Sequence, residues 1–330
     1  MSLTLLHRLA ITIFICQIIT NCILFKYTSI CQKTVDRVEI AGYTSALLSA
    51  VFFGSVPIIA KPIISNVNIL LLSSIAYLAS ALMFTPIAKT RGTITRNDYA
   101  ILATISICGA AVAPYMYFQG LSQSSAADTS LLSNVETMFT ILLALIFFKD
   151  RLGKIGAISV TLVLTGVVII TTNLQFSSSL LHLNAGHFLI LGSMGLWAVD
   201  NNLSRIISTR MDTGRLVQIK SLVGGLILLS TVFFFQIPLA IKFEQIPYII
   251  TLSVVGFGGS LYFFLQSLKR VGTIKTTMLF SMASVFGLVF SSVFLHEQIS
   301  LYQTVAITIM LVGIYMISKK EEEKKQISKF

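Results

Sequence analysis

The chain has 330 residues, of which 55% are hydrophobic and 11% charged, and a net charge of +11. An average soluble domain carries ~25% charged residues, so this composition excludes a soluble enzyme with one core, and its wealth of Leu, Ile and Phe excludes a disordered chain. Nucleic-acid binding is excluded by distribution, because Lys and Arg fall in short clusters between apolar runs and form no single basic patch.

Apolar runs that approach the ~20 residues needed to cross ~30 Å of hydrocarbon predict helices in chain order. They cover 9–25, 42–63, 67–88, 98–119, 128–148, 154–172, 186–206, 216–237, 246–267, 274–295 and 300–318. The first is a leader helix within residues 1–40, which also hold a cytoplasmic linker. The rest form two five-helix units, 41–173 and 185–318, followed by a charged cytoplasmic tail, 319–330. Placing the segment before residue 42 in the cytoplasm puts all of the 24 basic residues except Arg8, Lys61 and Lys242 on the inner side, as the positive-inside rule requires. Lys220 is grouped with the inner cations. A cleaved signal peptide would leave Lys26, Lys33 and Arg37 outside, so the leader reads either as an uncleaved eleventh helix with its N-terminus outside or as a dispensable segment added by an upstream start codon.

The two units are related. A shift of 147 residues brings Gln119 onto Gln266, Thr129 onto Thr276, Phe139 onto Phe286, Phe147 onto Phe294, Asp150 onto Glu297 and Gly166 onto Gly313. Earlier in the chain a shift of 144 brings Gly42 onto Gly186, Ser49 onto Ser193 and Lys61 onto Arg205. An odd number of helices per unit makes the second copy cross the membrane in the opposite sense. The charges agree: the loop joining the third and fourth predicted helices has no Lys or Arg, whereas its counterpart carries Lys269, Arg270 and Lys275. The expected fold is therefore an all-α integral membrane bundle of ten helices in two inverted repeats, plus the extra N-terminal helix. Inverted repeats place a substrate site near the midplane.

Short motifs recur in order. They are Phe53-Gly54-Ser55 with Lys61, Leu196-Trp197-Ala198 with Arg205, and Phe118-Gln119-Gly120-Leu121. There follow Leu132-Ser133-Asn134-Val135-Glu136 and Phe148-Lys149-Asp150-Arg151-Leu152, with Leu265-Gln266-Ser267-Leu268 and Leu295-His296-Glu297-Gln298-Ile299 in the second copy. Over about residues 41–318 this order resembles the EamA-type members of the drug/metabolite transporter superfamily. Phe53 stands where that family often has Trp, and Thr137 where it often has Pro. The resemblance implies secondary transport of a small metabolite across the cytoplasmic membrane by alternating access. The expected partners are a small-molecule substrate and the lipid bilayer; a homodimer is compatible with the sequence, and no nucleic acid, cofactor or metal is expected.

Site candidates are polar groups inside apolar spans. Glu136 lies near the middle of its span, where a charge costs ~2.5–3.5 kcal/mol by insertion scales, and Thr129, Ser133, Glu136, Thr137 and Thr140 share one helix face. The stripe reads either as a cavity wall with Glu136 as a proton carrier, or as polar glue between helices. Ser193, Trp197, Asp200 and Ser204 share another face, with Asp200 either lining the cavity or paired with Arg205 or Arg210. Tyr117, Gln119, Tyr262 and Gln266, with Tyr115, read either as cavity lining or as interhelical packing. Lys61 and Arg205 end the first helix of each copy and either snorkel to the interface or meet an anionic substrate. Asp150 and Glu297 are expected to cap the helix that follows each. Pro57 and Pro114 are candidate kinks. Interior acids favour amines or zwitterions, while Lys61 and Arg205 suit anions.

Enzyme signatures are missing. His296-Glu297 is not H-E-x-x-H, since Ser300 takes the second His position, and Cys16, Cys22, Cys31 and Cys108 form no C-x-x-C pair. A membrane receptor or scaffold, or a membrane enzyme, remains the alternative reading.

Overall fold

The structure is a computed structural model that describes residues 37–88, 95–148, 154–172 and 185–327. The chain divides into Met1–Ala41 and Gly42–Phe330. The predicted leader helix and Asp150 lie outside the described residues. All regular structure among the described residues is helical. In chain order we label α1 Val38–Ala60, α2 Ile69–Phe84, α3 Asp98–Ser122, α4 Ala126–Phe147, α5 Lys154–Thr172, α6 Ala185–Ser208, α7 Thr213–Phe234, α8 Phe243–Val271, α9 Lys275–Phe294 and α10 Leu301–Ile327. Six of these, α1, α3, α4, α7, α8 and α9, are long and apolar enough to cross a membrane. Helix α2 and the apolar part of α10, Leu301–Gly313, are shorter, and α6 has the length but carries Asp200, Asn201 and Asn202 on its buried side.

Packing follows a simple pattern. Helix α2 lies against α7, α4 against α9, α5 against α10 and α3 against α6. Helices α1 and α8 meet through small residues: Ser49 Oγ donates to the Ser260 carbonyl at 2.7 Å and Ser260 Oγ returns a bond to the Ser49 carbonyl at 3.1 Å. Lipid tails are as apolar as Leu side chains, so close backbone approach and buried hydroxyl bonds hold such helices together. Gly54 and Gly287 allow α1, α4 and α9 to meet, since a Cβ on Gly54 would lie 2.5 Å from the Ala283 carbonyl and one on Gly287 2.3 Å from Ser130 Oγ.

Several helices are not continuous. Helix α4, expected as one rod, breaks at Ser133 into Ala126–Leu132 and Asn134–Phe148. Glu136, near the middle of the span, therefore stands in the first turn of the second piece. Helix α9 breaks likewise at Ser281. Helix α1 turns at Ser55, and Pro57 opens the short helix beyond it; proline has no N–H to donate to residue 53. In α3 a π-helical turn, Cys108–Val112, precedes Pro114, and α8 holds a second π-helical stretch, Leu252–Gly259.

Two capping groups hold one end of the bundle; the first, Glu297, ties the two units together and corrects the sequence reading. Glu297 does not cap the helix that follows it. Its carboxylate accepts the Ala126 and Ala127 amides, at 3.0 and 2.8 Å, capping the N-terminus of α4. The Lys61 side chain turns to the neighbouring helix end. Its ammonium donates to the carbonyls of Leu121 and Ser124 at the end of α3, where the dipole favours a cation. Burial draws the Lys61 ammonium below the usual lysine range, and the Glu297 charge opposes that shift. The α3–α4 connection is thus held from both sides. Glu297→Ala should cost as much as losing an N-cap, about 0.5–2 kcal/mol, read as a lower midpoint in thermal unfolding of the detergent-solubilised protein; an unchanged midpoint removes Glu297 from this role.

Candidate functional site

The site begins with a backbone fault in α3. In the π turn the Ala113 amide bonds to the Cys108 carbonyl, one residue further back than in an α-helix. The Gly109 carbonyl thereby loses its usual donor, and the residue that would serve it in the π register is Pro114, which has no N–H. Two side chains satisfy it instead: Trp197 Nε1 donates at 2.9 Å and the Tyr77 hydroxyl at 3.2 Å. Both rings are fixed in place, with their N–H and O–H donors used.

Gly109 has a second role. A Cβ there would lie 2.2 Å from Asp200 Oδ2 and 2.4 Å from Asp200 Cγ, so only glycine lets the Asp200 carboxylate of α6 rest on α3. Gly109→Ala should cost at least the ~1–3 kcal/mol of overpacking and displace the carboxylate. A variant with wild-type thermal stability would show that Asp200 sits elsewhere.

Asp200 is fully buried and pairs with Lys220 of α7; each side chain is 2% exposed. Ser204 Oγ, one turn on, donates to Asp200 Oδ1 at 3.1 Å. This corrects the sequence expectation of Arg205 or Arg210 as partner. Arg210 instead reaches Asp98 at the start of α3, at 3.0 Å. Lys220 is no loop cation: it lies within α7 and is only 2% exposed. Removing charges from water is expensive, and a buried pair persists only when both partners are present and further bonds complete the site.

Glu136 is the second carboxylate of the site, and it too is buried. Asn201 Nδ2, next to Asp200 on α6, donates to Glu136 Oε1 at 2.7 Å and lies 3.5 Å from Thr140 Oγ1. Asn202 Nδ2 bonds the Thr140 carbonyl at 3.0 Å. Asp200 and Lys220 are the charged groups that act on Glu136. Its position in the first turn of a half-helix places the carboxylate at the positive end of that dipole.

These groups border one small cavity of about 50 Å³, lined by Glu136, Asp200, Asn201 and Lys220 on its polar side. Its other walls are Phe53, Tyr77, Trp197, Phe257, Phe264 and Phe280, with Gly256, Ser260 and Leu261. The rings brace one another: Phe53 meets Trp197 edge-on with centroids 5.4 Å apart, Tyr77 meets Phe257 at 5.1 Å, and Phe264 meets Phe280 at 5.0 Å.

Of the site residues expected from the sequence, Glu136, Asp200 and Trp197 line this cavity. Thr140 stands behind Asn201. Tyr117 packs against Phe53 and Trp197, and its buried hydroxyl lies near Ser133 but outside hydrogen-bond geometry. Ser133 spends its own hydroxyl on the Thr129 carbonyl at the α4 break. The others lie apart. Gln266 donates to the Tyr262 hydroxyl at 3.1 Å along α8, Tyr262 stacks on Phe84, Gln119 is half-buried off the cavity, and Lys61 is the α3 cap described above. Sequence reasoning missed Lys220, Asn201, Tyr77 and the Gly109 carbonyl. Lys220 had a signal: it is a lone cation inside the apolar run of α7, with no charge beside it.

These features define a multi-pass helical membrane protein with a buried ion pair and a second carboxylate at an aromatic cavity. The EamA-like transporter family matches residues 40–172 and again 184–319, and the chain belongs to that family. It is 27% identical over 293 residues to an uncharacterized transporter of Methanothermobacter thermautotrophicus, covering 84% of this chain and 85% of the relative. It is 22% identical to the uncharacterized transporter YyaM of Bacillus subtilis, over 73% of this chain and 81% of that protein. A crystal structure of a protein 14% identical aligns with a TM-score of 0.65 over 88% of this chain and 99% of its own, a likeness of fold.

Proposed function

We propose that the chain is a secondary transporter that carries a small metabolite across the plasma membrane by alternating access, with Glu136 coupling transport to a proton. In this reading ten spans form two inverted five-helix repeats, and the C-terminus is cytoplasmic. The observation that carries the proposal is the cavity itself: Glu136, Asp200 and Lys220, from three helices, converge on one aromatic-walled space. Intramembrane ionisable groups are costly and mark substrate or proton pathways.

The irregularities of the helices support the duplication. Shifted by 147 residues, Cys108–Val112 falls on 255–259, inside the π-helical stretch of α8, and Ser133 falls one residue from the Ser281 break. Broken helices at matching places in two repeats are where such transporters bind substrate and ions. The packing has the same symmetry, since α2, α4 and α5 each lie on the helix five further along. Phe53 and Trp197, in register under the 144-residue shift, meet edge-on. Glu136 does not repeat: the same shift that relates α4 to α9 places Ala283 opposite it. One copy therefore supplies an acid where the other supplies packing.

Reconstitution tests the function. Proteoliposomes with an imposed pH gradient should accumulate a substrate selected by thermal-shift screening of metabolites, and dissipating the gradient should abolish accumulation. Ligand binding without flux under any gradient would make the protein a receptor, and product formation in detergent would make it an enzyme.

A further inference from the structure

The end of the bundle where α3 passes into α4 is built from jointed helix tips. Helix α1 breaks at Ser55, α4 at Ser133 and α9 at Ser281. At each break the serine hydroxyl donates back into its own helix, to the carbonyls of Phe52, Thr129 and Met278. Such bonds compete with the helical ladder and bend helices. Beyond the breaks lie the tips Val56–Ala60, Ala126–Leu132 and Met282–Phe294, which pack on one another. On the other side of the same joints stand Phe53, Glu136 and Phe280, which border the cavity.

Two charged side chains clasp these tips. Lys61 follows the α1 tip, and its ammonium donates to the Leu121 and Ser124 carbonyls that end α3. Glu297 follows the α9 tip and accepts the Ala126 and Ala127 amides that open the α4 tip. Leu121 lies about one helical turn along α3 from Tyr117, whose ring meets Phe53 and Trp197 with centroids 6.0 and 5.3 Å apart. The clasp therefore sits just beyond the aromatic wall of the cavity. Unlike Asp200 and Lys220, Lys61 and Glu297 are half-buried. Water can take over their bonds when the tips part, so opening strands no charge in a dry interior. The related corner, where α8 passes into α9, is made differently. It turns on Gly272, whose φ is +82° and whose missing Cβ faces open space, and the Thr273 hydroxyl beside it is buried without a partner. Alternating access needs two ends that differ.

We infer that the three tips form a gate at this end of the cavity, and that Lys61 and Glu297 are the clasp that holds it shut. The inference rests on the transporter reading and adds to it the residues that close one end. It makes Lys61 and Glu297 gate residues, which act on access to the cavity and do not touch what the cavity holds.

Access can be measured from each side of the membrane. Leu261 borders the cavity and is half-buried. Leu261→Cys is placed in the full chain with Cys16, Cys22, Cys31 and Cys108 replaced by alanine. A membrane-impermeant methanethiosulfonate then labels it in right-side-out and in inside-out vesicles. Glu297→Gln, which keeps the shape of the side chain without its charge, and Lys61→Met should each raise the labelling rate from one side, by about two- to thirtyfold, the range that loss of an N-cap allows. The rate from the opposite side should not rise. Equal rises from both sides would mean general loosening of the fold and overturn the gate. Rates unchanged in both variants overturn it as well. Flux of screened metabolites in proteoliposomes separates this inference from the reading beneath it. A one-sided rise in labelling with no flux leaves the gate standing and removes the transporter. Flux with labelling indifferent to both variants keeps the transporter and removes the gate.

Discussion

Lys220→Met is expected to destabilise the protein by about 3–5 kcal/mol, the cost of leaving one member of a buried ion pair without its partner. The geometry makes the cost hard to avoid. Asp200 lies against Gly109 with no room to turn aside, and its other oxygen is already held by Ser204. No described cation is placed to replace Lys220, because Arg210 is committed to Asp98. The double variant Lys220→Met with Asp200→Leu removes both charges and should recover most of the lost stability, since apolar residues of similar volume often replace such pairs without penalty. Thermal unfolding of the detergent-purified variants reads both effects. If the single variant unfolds at the wild-type temperature, or the double variant is no better than the single, the pair is not what holds α6 to α7.

The second large effect is on function. Glu136→Gln keeps the length and shape of the side chain and can still accept a hydrogen bond from Asn201, so the fold should survive. What it loses is the exchangeable proton. Transport by this variant should become independent of pH and should no longer respond to an imposed proton gradient, while wild-type protein responds to both. Asp200→Asn is the contrasting substitution: it frees Lys220 from its partner, so its primary signature is a lower unfolding temperature. Unchanged rate and pH profile in Glu136→Gln would reduce Glu136 to a bond between α4 and α6.

What the sequence determined by itself was set by local partition between water and lipid. Apolar runs, basic clusters between them and weak internal repetition were enough for a helical multi-pass membrane protein of the EamA type. They were also enough to single out Glu136, Asp200 and Trp197, because a carboxylate inside an apolar run is conspicuous wherever the chain leads it. Tertiary structure decided who answers these groups. Lys220 lies twenty residues from Asp200, and nothing in either segment specifies the other. Glu297 caps a helix 171 residues away because two halves of the bundle meet there, not because of its own neighbours. The freed Gly109 carbonyl needed three things at once: a π turn, a proline five residues on, and two ring donors from α2 and α6. A single chain segment reports its preference for lipid or water. Which buried donor meets which acceptor depends on the packing of distant helices, and that is fixed only when close-packed backbones leave one arrangement in which each buried charge is answered.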